Sequence, residues 1–323
     1  MAWADILGQP FAVRILQAHV TRDCVPPAYL LIGPEGVGKS LVADEFAKAL
    51  NCERRPDGPC DACPSCRRIA RGAHPDVHHI EPDGATLGIE PVRALLARLA
   101  LRPYMGRMQV AIIDAADRLT EEAANSLLKT LEEPATWTRF VLITSQLTHC
   151  LPTIVSRCQQ VRFQRLTAAT VEQLLVARDV CKADIAKTVA PLAQGSLAIA
   201  AQLAAQWQRY ADMLDQFAVD QSAPWLAWKH PADRQGLTPW LACAMAWLRD
   251  VAVTAVGHAP QIQRPEAVAA IRRHASTLDL DRCLDTGMRV AALHESLEQS
   301  SSARLVATML REHWLNLLEG RAA

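Results

Sequence analysis

Ala28-Tyr-Leu-Leu-Ile-Gly-Pro-Glu-Gly-Val-Gly-Lys-Ser40 is the stretch from which the rest of the chain is read. Tyr29 to Ile32 is a short apolar run of the kind that forms a buried strand. Leu41, Val42, Phe46 and Leu50 open a helical pattern beyond it. The turn between them has the form G-x-x-x-x-G-K-[ST], with Gly33, Gly38, Lys39 and Ser40 in the fixed places and Gly36 inside. Strand, glycine-rich loop and helix in that order are the context that a phosphate-binding loop requires. The glycines let the backbone turn its N–H groups onto a phosphate. Lys39 can reach the β- and γ-phosphates, and the Ser40 hydroxyl can ligate Mg²⁺. The helix N-terminus behind adds partial positive charge. The stretch therefore predicts a site for ATP or ADP with Mg²⁺.

Working outward, residues 1–20 predict a helical lead-in through Ile6, Leu7, Phe11, Val13, Ile15 and Leu16. Val77 to Ile80, Met108 to Asp114, Phe140 to Thr144 and Gln160 to Phe163 are strand patterns. Arg67 to Arg71 and Leu87 to Leu101 are helical, the latter with Pro91 in its first turn and Val92, Leu95, Leu96 and Leu99 on one face. Thr120 can cap a helix whose Ala124, Leu127, Leu128 and Leu131 share a face and which Pro134 stops. Apolar strands alternating with helices imply an α/β fold, a parallel sheet covered on both faces. The phosphate loop then belongs at the strands' carboxyl edge. Past about residue 165 no strand pattern occurs. Three short helical patterns fill 166–206, the last opening at Gly195-Ser196, and a helical segment rich in Ala, Leu and Trp follows from 209 to 323. The expected units are 1–165, 166–208 and 209–323.

The length of 323 residues argues for two or three domains, and half of the residues are hydrophobic. The formal net charge is zero, which gives no electrostatic case for direct nucleic-acid binding. The N-terminus lacks the apolar core of a signal peptide. The longest apolar stretch, Trp240 to Val256, is broken by Arg249 and Asp250 and suits a buried helix rather than a membrane span. A soluble, cytoplasmic protein is expected. The eight tryptophans are expected in helix packing rather than in base stacking.

Ten cysteines in such a chain suggest metal or reduced thiols rather than a disulfide framework. Cys60, Cys63 and Cys66 form two consecutive C-x₂-C spacings, and Cys52 can close a tetrahedron from the preceding turn. Four thiolates are a closed structural zinc set; four unconnected thiols or a redox C-x-x-C pair are the other readings of the spacing. Pro56, Gly58, Pro59 and Pro64 leave the 51–66 insert without the means to pack a core, so a metal would replace one. The remaining cysteines show no ligand spacing.

Val110-Ala-Ile-Ile-Asp114 is an apolar strand that ends in an acid, the pattern that holds Mg²⁺ through its outer shell beside a phosphate loop. Hydrolysis also needs a carboxylate to orient the attacking water. The next residue is Ala115, and Asp117 falls in the following turn.

Asn125-Ser-Leu-Leu-Lys-Thr-Leu-Glu-Glu-Pro134, followed by Ser156-Arg157-Cys158, resembles the bacterial clamp-loader AAA+ family of DNA polymerase III, and within it the delta-prime branch. The resemblance implies a RecA-like P-loop domain (1–165), a three-helix lid (166–208) and a helical collar (209–323) that holds five subunits in a ring. It makes Gly33 to Ser40 the Walker A loop, Asp114 the Walker B acid, Thr144 or Ser145 the sensor-1 position, and Cys52, Cys60, Cys63 and Cys66 the zinc ligands. Arg157 becomes an arginine that acts in trans on a neighbour's ATP. The implied partners are the tau/gamma and delta subunits, with the sliding clamp and primed DNA reached through the complex. Motor subunits of the family carry Glu after the Walker B acid and G-S-x-R in the lid. This chain has Ala115 and Gly195-Ser196-Leu197-Ala198. A subunit that binds nucleotide with little or no hydrolysis is expected, a component of a DNA-directed DNA polymerase holoenzyme in which Arg157 is the catalytic contribution, with a hydrolysing motor subunit as the alternative. Lys129, Glu132 and Glu133 are expected on a solvated or subunit-facing helix surface.

Overall fold

The computed structural model describes residues 3, 6–54, 58–231, 233–260, 262, 265–298 and 302–320. Pro56 therefore lies outside the described residues. Five parallel strands form one sheet: β1 (Ala28–Ile32), β2 (Val77–Ile80), β3 (Gln109–Ile113), β4 (Thr138–Thr144) and β5 (Gln159–Arg162), in the order β2-β3-β4-β1-β5. The burial of the strands follows from this order. β3 is buried throughout and β1 and β4 nearly so, whereas β2 and β5 at the edges are partly exposed. The continuous apolar runs in the sequence are what central strands of a covered sheet need.

Alternation along each strand divides the interior in two. Tyr29, Leu31, Val110, Ile112, Val141 and Ile143 point to one face, packed against α1 (Pro10–Thr21), α2 (Lys39–Asn51) and α3 (Pro64–Ala70). Leu30, Ala111, Ile113, Phe140 and Leu142 point to the other, against α4 (Ile89–Leu99), α5 (Glu121–Glu132) and α6 (Pro152–Val155). Thr120 caps α5 by accepting the Ala123 N–H.

Two expected boundaries shift. Of the lead-in expected within 1–20, residues 1, 2, 4 and 5 lie outside the described residues, and α1 begins at Pro10. Gly8 has φ +81°, and Pro10 sits where a first turn tolerates it. The helix expected over 87–101 runs Ile89–Leu99. Leu87 instead bridges Leu119 in parallel, exchanging backbone hydrogen bonds with Arg118 and Thr120.

The contacts divide the chain into two compact units, residues 1–170 with 195–198, and residues 171–194 with 199–323. No strand occurs in the second unit among its described residues. It contains α8 (Ala183–Leu192), α10 (Trp207–Phe217), α11 (Ala223–Leu226), α12 (Arg234–Ala255), α13 (Pro265–Thr277), α14 (Leu280–Glu298) and α15 (Ala303–Glu319), and most of α7 (Ala168–Ala177) and α9 (Leu197–Ala205). Trp225, Trp247 and Trp314 are fully buried there around Phe217. The tryptophans thus act in packing, each burying a large ring against another. No described helix is long and apolar enough to cross a membrane; Trp240 to Val256 lies in and just after α12, with Asp250 buried against Arg249.

Candidate functional site

β1 delivers the glycine-rich loop to the carboxyl edge of the sheet, and α2 starts at Lys39. Gly38 caps α2 with φ +96°, and a Cβ built there meets nothing within 4 Å. Open space therefore lies over the N-terminus of α2, where backbone N–H groups and the helix dipole converge. Gly36, at φ +73°, has no such room: a Cβ there falls 2.2 Å from Ser196 Oγ and 2.9 Å from the Ala198 Cβ. Leu197 N–H also donates to Gly36 O at 2.8 Å. The segment 195–198 thus lies against the phosphate loop, with a methyl at Ala198.

Lys39 is buried and its Nζ donates to Gly33 O at 2.5 Å and Pro34 O at 2.6 Å. Burial holds its pKa below the usual lysine value, against the opposing pull of Asp114, Glu35 and Asp117. A desolvated ammonium resting on two carbonyls gains by exchanging them for an anion. Ser40 Oγ donates to Asp114 Oδ2 at 2.9 Å, while Asp114 Oδ1 accepts the Ala115 N–H at 2.8 Å. A hydroxyl and a carboxylate in contact at a helix N-terminus make the hard oxygen pair that Mg²⁺ takes. The residues present therefore fit a magnesium nucleotide.

Beside this pair the backbone turns sharply. Ala115 has φ +50° and starts the single helical turn Ala116–Arg118. Asp117 sits in that turn, and its carboxylate accepts Thr144 Oγ1 at 2.6 Å, Ser145 N–H at 3.2 Å and Ser145 Oγ at 3.3 Å. Sequence reasoning assigned no partner to Asp117, although an acid three residues after Asp114 was the available signal. Arg118 reaches Glu35 of the phosphate loop at 3.5 Å. Gln9, just before α1, is also drawn in: its Nε2 donates to Val37 O at 3.3 Å and Gln164 O at 2.7 Å. Nothing in the sequence marked it.

Arg157 is on another part of the domain. β5 pairs in parallel with β1, with Gln159 opposite Tyr29. Arg157 lies in the turn between α6 and β5, on the amino side of Gln159, whereas the phosphate loop begins at Gly33, four residues past Tyr29. Those four residues of extended strand correspond to roughly 13 Å along the strand direction. Arg157 Nε donates to Glu132 Oε1 at 2.8 Å, Nη2 donates to the same oxygen, and Nη1 donates to Thr153 O at 2.9 Å. Glu132, expected merely on a solvated or subunit-facing surface, is thus paired within the domain.

The four cysteines of the insert come together. Single ligand atoms of Cys52, Cys60, Cys63 and Cys66 lie within 4.8 Å of one another, with Cys52, Cys63 and Cys66 buried. A tetrahedral zinc site, with Zn–S near 2.3 Å, sets its sulfurs about 3.8 Å apart, so small side-chain movements would complete it. Cys63 N–H points to Cys60 Sγ at 3.3 Å and Cys66 N–H to Cys63 Sγ at 3.4 Å, the outer-shell donors that thiolates need. Cys63 also caps α3. On the other side, Lys48 of α2 is buried and donates to Glu45 at 2.6 Å and to Asp61 of the insert at 2.9 Å. The helix that leaves the phosphate loop thereby anchors the cysteine cluster, which can hold one metal ion.

The family described as "DNA polymerase III, delta subunit" matches residues 8–167. The DNA polymerase III subunit delta' of Bacillus subtilis is 39% identical over 172 residues, 53% of this chain and 52% of that protein. The tau subunit of the same organism is also 39% identical, over 52% of this chain and 30% of its own length. This chain spans about half the length, or less, of these curated relatives. Among solved structures, a DNA polymerase III gamma subunit-related protein of Thermotoga maritima is 18% identical with a TM-score of 0.49, covering 94% of this chain and 99% of its own. The phosphate loop, acid strand and cysteine insert all lie inside the matched span, and it is in residues 8–167 that the chain is similar to the clamp-loader subunits of DNA polymerase III.

Proposed function

We propose that this chain is the delta'-type subunit of a clamp loader, a stator that supplies Arg157 to the ATP site of an adjacent subunit. The observation that carries this reading is the level of Arg157 in the sheet. It is on the amino side of Gln159, at the amino edge of the sheet, whereas the chain's own phosphate loop is at the carboxyl edge, roughly 13 Å along the strands from Gln159. A guanidinium so placed serves a site on another molecule. Loose phosphoryl-transfer transition states spread charge over the γ-phosphoryl oxygens, and an arginine from a neighbour stabilises it.

Two further features support a subunit that does not turn over its own nucleotide. The position after Asp114 is Ala115, whose methyl cannot orient a water, and the nearby Asp117 is engaged by Thr144 and Ser145. The 195–198 segment presents Ala198 to the loop where a motor subunit has arginine. On this reading Gly33, Gly36, Gly38, Lys39, Ser40, Asp114 and Thr144 hold ATP or ADP with Mg²⁺. Cys52, Cys60, Cys63 and Cys66 hold a structural zinc. Residues 166–208 form the lid and 209–323 the collar that joins tau/gamma and delta subunits, and the assembly loads the sliding clamp on primed DNA in the cytoplasm. The motor reading retains one favourable observation, the intact Gly33–Ser40 loop with Ser40 on Asp114.

The test has two parts. The isolated chain is assayed for steady-state ATPase, and Arg157→Ala is assayed in a loader reconstituted with its tau/gamma and delta partners. Expected are negligible turnover alone, and a partial fall in clamp- and DNA-stimulated ATPase for the variant, with complex formation unchanged. Motor-like turnover by the isolated chain, abolished by Lys39→Ala, refutes the stator. Wild-type stimulated activity with Arg157→Ala refutes the trans role.

A further inference from the structure

The Arg157 guanidinium has five N–H groups. Two go to Glu132 Oε1, through Nε and Nη2, while Nη1 donates to Thr153 O and, at 3.4 Å, to Ser156 Oγ. The bonds to Glu132 therefore use the side edge of the guanidinium. At the tip, the second N–H of Nη2 remains for an incoming group, and an anion can displace the long bond from Nη1 to Ser156 Oγ. That tip is the fork that meets two phosphate oxygens at once. Glu132 is the last residue of α5, and Arg157 follows the short helix α6 at the same edge of the sheet. The Arg157 side chain is one-third exposed and that of Glu132 half exposed. A free arginine at such exposure samples many rotamers, and fixing it on arrival of a phosphate would use up part of the binding energy.

We propose that Glu132 is a positioning residue for Arg157: it clamps the side edge of the guanidinium so that the tip is pre-aimed at the triphosphate of the adjoining subunit. The inference rests on the trans role of Arg157. The pairing is too exposed to hold the fold together, since exposed ion pairs contribute little to stability. Its value lies in geometry: a guanidinium already oriented loses less freedom in the transition state, where misplacement by one ångström can cost about a hundredfold in rate. Loss of the clamp leaves the arginine present but mobile, so the effect on rate is smaller than that of losing the arginine itself.

The experiment uses the loader reconstituted with wild-type chain, Glu132→Gln, Glu132→Ala, Arg157→Ala and the Glu132→Ala/Arg157→Ala double variant. Stimulated ATPase is measured against ATP concentration, and the Arg157 Nε–H resonance is followed in the isolated ¹⁵N-labelled chain. The expected order of kcat is wild type, Glu132→Gln, Glu132→Ala, then Arg157→Ala, with KM for ATP unchanged. The double variant should match Arg157→Ala alone, because a residue that acts through another has no effect in its absence. The resonance should be protected from exchange in the wild type and lost in Glu132→Ala, at an unchanged melting temperature. If Arg157→Ala lowers kcat and Glu132→Ala does not, or raises it, the positioning role is wrong and the trans role stands. A further drop in the double variant makes Glu132 structural and also overturns the proposal. If Arg157→Ala is without effect, the trans role fails and the inference fails with it.

Discussion

Replacing Lys39 by Met removes the charge and keeps the aliphatic stem, and stability and binding should respond with different signs. In the free protein the ammonium is buried on two carbonyls, and burial lowers its pKa despite nearby carboxylates. For a lysine whose folded pKa lies below the unfolded one, the unfolded chain binds more protons between the two values. Stability therefore rises with pH through that window, and the charge is a burden at neutral pH. The Gly33 and Pro34 carbonyls are only half-buried and can take water once Nζ is gone. Lys39→Met should leave the nucleotide-free protein as stable as wild type, or slightly more so. Nucleotide is another matter. Charge-assisted hydrogen bonds to phosphate contribute about 1.5–3 kcal/mol each, so loss of the ammonium should weaken binding on the order of a hundredfold. With Mg²⁺–ATP at about a thousand times the wild-type Kd, ligand stabilisation drops from about 4.1 to about 1.4 kcal/mol. For a domain of this size that is a melting shift smaller by roughly 5–10 °C. Thermal melts with and without Mg²⁺–ATP, followed by a probe in the nucleotide domain, give both quantities, and titration calorimetry gives Kd. A variant that retains the full nucleotide-induced shift would show that the loop does not bind the triphosphate. A variant that loses more than about 2 kcal/mol without nucleotide would show that the lysine is there to hold the fold.

Other outcomes follow from the same geometry. Purified protein should contain close to one zinc per chain, and a strong chelator should lower its melting temperature, since a bound metal would tie Cys52 to Cys60, Cys63 and Cys66; elemental analysis together with a melt in chelator checks both. Asp76 is fully buried, and its carboxylate accepts the N–H groups of Tyr104, Met105 and Gly106 at 2.6–2.8 Å. Asp76→Ala should therefore cost about 3 kcal/mol in urea unfolding by leaving those donors unpaired. Burial works against ionisation there, yet the three N–H groups outweigh it and hold the Asp76 carboxyl below the ordinary range. For a depressed carboxyl the contribution is complete above the unfolded value near 4 and is lost as pH falls through the folded one. Wild-type stability should thus fall with acid below about pH 4 with a steeper slope than that of Asp76→Asn.

The sequence alone determined the parallel sheet, the phosphate loop and the cysteine set. Each rests on local rules: apolar runs of strand length, glycines at fixed spacing, thiols two residues apart. The strands at Val77–Ile80 and Gln109–Ile113 fall where the pattern put them, because a strand buried on both faces has to be apolar throughout. It also indicated Ser40 and Asp114 as neighbours, since a loop after β1 and an acid after β3 both end at the carboxyl edge. What the sequence left open concerns residues whose partners lie far along the chain. The position of Asp117, three residues after Asp114, hinted at the site but did not show that it takes the Thr144 and Ser145 hydroxyls. Gln9 reaches Gln164 across 155 positions. Glu132 looked like one more charge on a helix surface until the fold brought it to Arg157, 25 positions away. Local spacing fixes which backbone conformation a segment adopts, because those energies are short-range. Only the register of β1 with β5, and the crossovers that return α5 and α6 to the amino edge, decide which side chains meet, so the separation of Arg157 from its own phosphate loop belongs to the tertiary structure.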